Sequence, residues 1–259
     1  MTTDTGSRSR NTIWLIALGT LLYAVFLVVT APASVLTWIL ERESHGMIAF
    51  EGTRDSLWKG KADVVVVSAG ARTLRFRQLT WTMNFSRLLR GELSFTLSVD
   101  DPDARGKSTL GWSAGLWQLS ATALDVAFAV ISPHSPVLLL ANPNGRLWLR
   151  TENLALGRNT VSGMAELEWR DASTDLSRVV PLGTYRAKIE GAGTKAQFSV
   201  DTKEGALQVR GQGFWSRETG LRFDGSARAA AGRESELHEL LRIMGPDTGG
   251  GVHRLHAGA

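Results

Sequence analysis

From Thr53 onward apolar and polar residues alternate with a period of two, and this feature restricts the fold more than any other. Leu79, Trp81, Met83 and Phe85 alternate with Thr80, Thr82 and Asn84, and Leu93, Phe95, Leu97 and Val99 alternate with Ser94, Thr96 and Ser98. Successive side chains of a strand point to opposite faces, so each set is a strand with one apolar face. The connector between them, Ser86 to Gly91, is short and ends in Gly, so the two read as an antiparallel pair. Asn144-Gly145 leads into Arg146-Leu147-Trp148-Leu149, and Gly163 leads into Met164 to Trp169. Thr184 to Glu190, Gln197 to Val200 and Ala206 to Val209 are further short strands. The segments Gly205 to Gly211 and Gly220 to Gly225 share one form, a short alternating strand between glycines.

Two segments depart from the alternation. Val64 to Val67 is a continuous apolar run, which predicts a strand buried on both faces. In Ser235 to Met244 the residues Leu237, Leu240, Leu241 and Met244 follow helical spacing, and Gly245-Pro246 ends the helix. The expected fold is therefore mainly β: a curved antiparallel sheet, or a β-roll or sandwich-like domain, with one short C-terminal helix. The composition agrees, with 27 Gly, 7 Pro and 9 Trp suiting many strands and turns.

Ahead of this domain stands a long uncharged stretch, Asn11 to Leu40, whose apolar heart is Ile13 to Val29. A membrane helix needs roughly 17–25 mostly apolar residues. The segment reads as a single transmembrane anchor carried by Ile13, Trp14, Leu15, Leu21, Phe26 and Val29, with Trp14 and Trp38 at the two interfaces. Ala31-Pro32-Ala33 resembles a leader-cleavage site, but the apolar run exceeds the roughly 7–15 residues of a leader's core, which favours retention. Arg8 and Arg10 before the helix stand against Arg42, Arg54 and Lys59 after it, a weak vote for a cytoplasmic N-terminus. The organisation is then a short cytoplasmic tail over 1–12, the anchor and its flank over 13–40, and a β-rich domain over 41–259.

Several motifs invite a chemical reading. Gly111-Trp112-Ser113-Ala114-Gly115 matches the nucleophile elbow of serine hydrolases, with Asp171 or Asp175 and then His238 following in hydrolase order. That elbow needs a strand-to-helix turn, and here strands follow strands, so a Gly-rich bend is the expectation. Gly106-Lys107-Ser108 resembles the tail of a phosphate-binding loop, but Asp101 stands where its first Gly belongs, so Asp100 to Lys107 reads as a polar turn. His238-Glu239 opens like a helical zinc motif, with Arg242 in place of the second His. His253 and His256 lack a third ligand, and His45 and His134 are isolated. Glu166 and Glu168 share one strand face, expected to be solvent-facing. Arg72, Arg75 and Arg77 alternate with Leu74 and Phe76, the pattern of a charged outer strand face rather than of a nucleic-acid-binding patch. With no Cys, disulfides, cysteine-based zinc sites and thiol catalysis are excluded. No cofactor, metal site or catalytic set emerges, and the expectation is a non-enzymatic interaction module.

A series of phrases in a fixed order carries a family resemblance. It begins with the apolar helix ending in Ala31-Pro32-Ala33, then residues 52–62 (GTRDSLWKGKA), Leu79-Thr80-Trp81 and Leu88-Leu89-Arg90-Gly91-Glu92-Leu93. It continues through Gly145-Arg146-Leu147-Trp148-Leu149, residues 163–172 (GMAELEWRDA), Leu182-Gly183-Thr184-Tyr185, residues 205–211 and the helix running into Gly245. Over nearly the whole chain this resembles the type II secretion system protein N family, also called general secretion pathway protein N. The resemblance implies an accessory, inner-membrane, single-pass protein of a Gram-negative bacterium with its C-terminal domain in the periplasm. It implies as partners the inner-membrane platform proteins and the secretin, and it carries over no functional residues. It also implies a closing C-terminal strand, whereas Val252 to Ala259 alternates poorly, which predicts an incomplete sheet edge.

Two physical readings follow for the domain. An open sheet edge could pair with a partner strand. Alternatively, an apolar sheet face could serve as a trough for lipid, since a core-filling and a lipid-binding face look alike in sequence.

Overall fold

The computed structural model describes residues 6–44, 47–69, 72–128 and 141–258, with the side chains of 6–13, 67–69 and 72–76 outside that description. The chain starts with α1 (Gly6–Val29) and α2 (Ala33–Glu43). There follow β1 (Ile48–Glu51), β2 (Arg54–Asp55), β3 (Lys59–Ala69), β4 (Arg72–Met83), α3 (Phe85–Leu88), β5 (Leu93–Asp100), β6 (Ala104–Ser113) and β7 (Leu116–Ala127). The second half holds β8 (Asn144–Leu156), β9 (Val161–Ser173), β10 (Gly183–Gly193), β11 (Lys195–Gly205), β12 (Leu207–Ser216), β13 (Gly220–Ala229), α4 (Glu234–Met244) and β14 (Val252–Ala257).

All fourteen strands form one antiparallel sheet in the order β1, β3, β4 and so on to β14, with β2 paired to β3 beside that path. Of the architectures the alternation allows, the described residues form the single open sheet, with no second sheet among them packed against it. Because each strand follows its neighbour, the hairpin turns fall alternately at two ends. One end, the tip end, carries the β4–β5, β6–β7, β8–β9, β10–β11 and β12–β13 connections. The sheet bends strongly there. Arg217 in the β12–β13 turn reaches the Arg158 carbonyl at 3.2 Å and Asn159 Oδ1 at 2.7 Å in the β8–β9 turn. In a flat sheet β9 and β12 would stand about 14 Å apart, three strand spacings.

Register carries the alternation across the molecule. Leu79, Val99, Gly106, Leu124, Leu149, Leu167, Ala187, Val200, Gly211, Gly225 and Leu255 pair in one unbroken row from β4 to β14. The adjacent row holds Lys107, Ala123, Arg150, Glu166, Lys188, Ser199, Gln212, Asp224 and His256. Paired residues share a face and neighbours along a strand do not, so the first row marks an apolar face and the second a polar one. Where Gly211, Gly213 and Gly225 sit on the apolar face, the Phe198 and Phe223 rings lie against the backbone in the space a Cβ would fill, stacked with centroids 5.9 Å apart.

Two buried clusters lie on this face, towards its two sides. Leu237, Leu240 and Leu241 of α4 pack on Ala172, Leu182, Tyr185, Leu207 and Ala227. At the other side Ala33 of α2 joins Ala62, Val65 and Trp81, with Leu36, Phe50 and Leu97 packed around them. The uncharged stretch to Leu40 is thus two helices rather than one. Pro32 cannot continue an α-helical ladder and disfavours helix at the residue before it, and α1 stops at Val29. The described side chains of α1, including Trp14, Leu15, Leu21, Phe26 and Val29, are exposed. Among the described residues no helix is long and apolar enough to cross a membrane, and the side chain of Ile13, where the anchor segment begins, lies outside them.

Four sequence expectations change. Val65 is buried, but Val64 and Val66 are only half-buried, because they point to the opposite face of the sheet, where they pair with Arg77 and Arg75 and no second layer among the described residues covers them. Phe85 does not extend β4, since the strand ends at Met83 and Phe85 opens α3. Glu168 is buried, not solvent-facing. The C-terminal segment forms β14, paired with β13 from Val252 to Ala257, so the closing strand implied by the family resemblance is present despite its poor alternation.

Candidate functional site

Ser113 is the most specific chemical candidate, and the fold gives it a different task. Ser113 pairs with Leu116 across a two-residue loop. Ala114 and Gly115 both have positive φ, 48° and 80°, the signature of a type I′ hairpin turn. A strand-to-strand turn of this kind presents no helix N-terminus and no nucleophile elbow. Asp171 lies ten register positions along β9 from Val161 at the tip end, about 30 Å of strand. His238, on α4, sits with the helix at that far end. The three groups are not brought together.

The other motifs resolve similarly. Gly106, Lys107 and Ser108 lie within β6, where the buried Ser108 hydroxyl meets that of Thr122 at 2.8 Å. His253 is buried, its Nδ1 2.8 Å from the Gly245 carbonyl. It pairs with Ala227 on the apolar face, whereas His256 pairs with Asp224 on the polar face. The two imidazoles therefore point away from each other and cannot share an ion. Among the described residues no His, Asp or Glu cluster is suited to a metal. His45 and His134 lie outside the described residues, as do the side chains of Arg72, Leu74, Arg75 and Phe76. Arg77 is exposed, and its backbone N–H donates to Asp101 Oδ2 at 2.7 Å.

Glu168 was legible only as one of a pair of strand carboxylates. In β9 it accepts from Lys203 Nζ at 2.5 Å and from Arg170 at 3.0 Å. The Lys203 contact, ahead of the opposing effect of burial and the further help of Arg170, holds its carboxyl below the usual carboxylate range. Its neighbour Glu166 stands 2.7 Å from Arg186 Nε, an ion pair out of line for a hydrogen bond. Glu168 is thus tied to Arg170 on its own strand and to Lys203 on β11, two strands away, and Glu166 to Arg186 on the adjoining β10, which is a sheet-bracing arrangement. Tyr185 behaves alike: burial raises its phenol's pKa, and its hydroxyl donates to the Leu207 carbonyl at 3.0 Å.

Both sheet edges are blunted. On β1 the outward N–H of Phe50 donates to Glu41 Oε1 at 2.8 Å and that of Ile48 to Ser44 Oγ at 3.1 Å. On β14 the Arg254 N–H donates to the Pro246 carbonyl at 2.9 Å, and Asp247 bridges His253. Such devices suppress edge-to-edge pairing. What the sheet offers instead is area. Between the α2 and α4 clusters, Leu110, Leu119, Leu124, Leu149 and Leu154 form the apolar face of β6–β8 and stay half-buried. A concavity of about 1490 Å³ also runs over β8 to β14, lined largely by side chains of the polar row, among them Arg150, Glu166, Lys188, Gln212, Asp224 and His256.

Fold and surface together define a single-sheet β domain whose distinctive features are faces and rims rather than a reactive centre. The family model for type II secretion system (T2SS), protein N matches residues 48–255, and the chain belongs to that family. It is a component of a protein secretion system. No match was found among curated proteins or among solved structures.

Proposed function

We propose that this chain is a non-enzymatic accessory subunit of the type II secretion system, anchored in the inner membrane with its sheet in the periplasm. The observation that carries the reading is the coincidence of limits. The family match over 48–255 covers the sheet from the first residue of β1 into β14, so the domain as folded is the family's domain. The anchor is Ile13 to Val29 within α1, 17 mostly apolar residues and about 26 Å at 1.5 Å per residue. Its support is the apolar sequence, the exposure of every described side chain from Trp14 to Val29, and an apolar run at the short end of the roughly 17–25 residues a membrane helix needs. The partners are the inner-membrane platform proteins and the secretin, met through the half-buried apolar face of β6–β8, since both edges are blunted.

In-cell crosslinking of the full chain, followed by mass spectrometry, tests this. Photo-crosslinkers placed on the apolar face should capture a platform protein or the secretin. Capture of lipid, or of envelope-lipid proteins with no secretion component, refutes the reading and makes the apolar face a lipid trough instead.

A further inference from the structure

The tip end of the sheet has a surface unlike the other end. Its exposed large apolar side chains include Leu89 (92 %), Phe85, Trp112, Trp117 (50 %), Trp215 and Leu221 (51 %). They come from the β4–β5 connection and from strand ends beside the β6–β7 and β12–β13 turns. Trp112 and Trp117 face each other across one hairpin, and Trp215 pairs with Leu221 across another. Among the described residues of the opposite end the exposed large apolar side chains are the scattered Met47, Val180 and Ile243.

Charge is divided along the same axis. The tip connections carry Arg87, Arg90, Arg158 and Arg217, with Lys195 beginning β11, against Glu92 and Glu218. Glu92 already lies 3.9 Å from Arg87, and Lys195 sits over the Phe214 ring. Among the described residues, the turns at the other end hold Asp101 and Asp103 between β5 and β6, and Asp175 with Arg178 between β9 and β10.

The tip end is also where α1 joins the domain. Trp58 Nε1 donates to the Val28 and Val29 carbonyls that end α1, at 2.9 and 3.1 Å. The Leu57 N–H donates to the Ala31 carbonyl at 2.8 Å. The Trp58 ring packs on Phe85 at 5.7 Å between centroids, so the β4–β5 connection lies against the last turn of the helix.

We propose that the tip end is a membrane-docking rim that seats on an anionic phospholipid surface. Aromatic and leucine side chains enter the interfacial layer, and Arg90, Arg158, Lys195 and Arg217 pair with lipid phosphates. Trp suits this layer because its ring is apolar and its N–H polar, and basic side chains beside an anionic surface each add attraction that falls with salt. The acidic far end points away from the same surface. The proposal rests on the anchored reading above, because α1 holds this end, and not the other, at the bilayer.

The chain has no cysteine, so one introduced thiol labels one place. Full-length Leu89→Cys and Ile243→Cys, each carrying an environment-sensitive fluorophore, are reconstituted into phosphatidylcholine vesicles with and without phosphatidylglycerol. Both positions are exposed in the fold, so neither label disturbs the core. The expected result is a blue shift and several-fold stronger quenching by a lipid-borne quencher at Leu89 than at Ile243. The Leu89 signal should be larger with phosphatidylglycerol and reduced by Arg90→Glu combined with Arg158→Glu. A Leu89 probe as wet as the Ile243 probe, in protein that floats with the vesicles, overturns the rim and leaves the anchor intact. Protein that does not float with either vesicle overturns both.

Discussion

Truncating Leu237 should undo the cluster that holds the C-terminal side of the sheet together. Leu237 is fully buried. Its helix, α4, has 11 residues, and isolated helices below about 12–15 residues are marginal in water, so packing must supply its stability. Leu237→Ala loses the transfer energy of the missing atoms and opens a cavity. The cavity is poorly refilled, because the sheet residues opposite include the short Ala172 and Ala227, fixed in ladders that cannot move towards the helix. A loss in the middle of the Leu→Ala range, about 3–4 kcal/mol, is expected. Ile243→Ala on the same helix removes an exposed side chain and should cost no more than about 0.5 kcal/mol. Urea unfolding of the detergent-solubilised full chain, followed by far-ultraviolet circular dichroism, measures both. A loss below about 1 kcal/mol for Leu237→Ala, or equal losses for the two variants, refutes the claim that α4 closes the core.

Three further outcomes can be measured. Gly213→Ala puts a Cβ 2.2 Å from the Arg222 carbonyl oxygen and 2.5 Å from the Phe198 ring and should cost about 2–3 kcal/mol. Gly115→Ala, with open space and only its positive φ against it, should cost about 1 kcal/mol in the same titration, and equal losses would contradict the seating of Phe198 on the sheet. Glu168 has a lowered folded pKa, so its stabilisation is full above the unfolded carboxylate range and is lost as pH falls through the folded value. The stability gap between wild type and Glu168→Gln should therefore be constant near neutrality and shrink below about pH 4; a gap unchanged into acid would be inconsistent with the Lys203 pairing. Ser113→Ala should leave secretion unaltered in a complementation assay, and a secretion defect in folded protein would return Ser113 to the list of functional groups.

Much of the sheet was legible because period-two alternation is a local signal. Leu93 to Val99 and Thr184 to Glu190 were readable as strands, and the helix from Ser235 to Met244 was bounded within a residue of α4. Strand lengths were less legible. Gln197 to Val200 reads as four residues, yet β11 runs from Lys195 to Gly205, since Thr202, Lys203 and Glu204 carry little apolar contrast while the ladder continues through them. β14 was missed for a similar reason. His253 is buried and His256 exposed, and two identical residue types on opposite faces erase the alternation. Burial of Glu168 depends on Lys203, thirty-five positions away, and no local pattern announces a partner at that separation. The Ser113 motif was separable from a true elbow by context, because strands stand on both sides of Ala114-Gly115.

The edge of an open sheet is its most reactive backbone, and strand addition would be the simplest way for this domain to bind a partner. The structure weighs against that route at both ends. A strand joining β1 must displace Glu41 and Ser44 from the Phe50 and Ile48 N–H groups, and these acceptors belong to α2, whose Ala33 and Thr37 are buried. A strand joining β14 must strip away the segment from Pro246 to Thr248, which bonds Arg254 and Val252. Each displacement leaves backbone groups to be re-paired, so the net gain from a new ladder is small. The apolar face of β6–β8 asks for no such exchange. Leu110, Leu124 and Leu149 are already half-buried and unprotected by either helix cluster, and covering them removes apolar area from water at about 25 cal/mol per Å². His256→Pro, at an N–H that faces outward from β14 by alternation with Arg254, should therefore leave partner capture intact, while Leu124→Glu on the face should abolish it. The reverse pattern would return recognition to the edge.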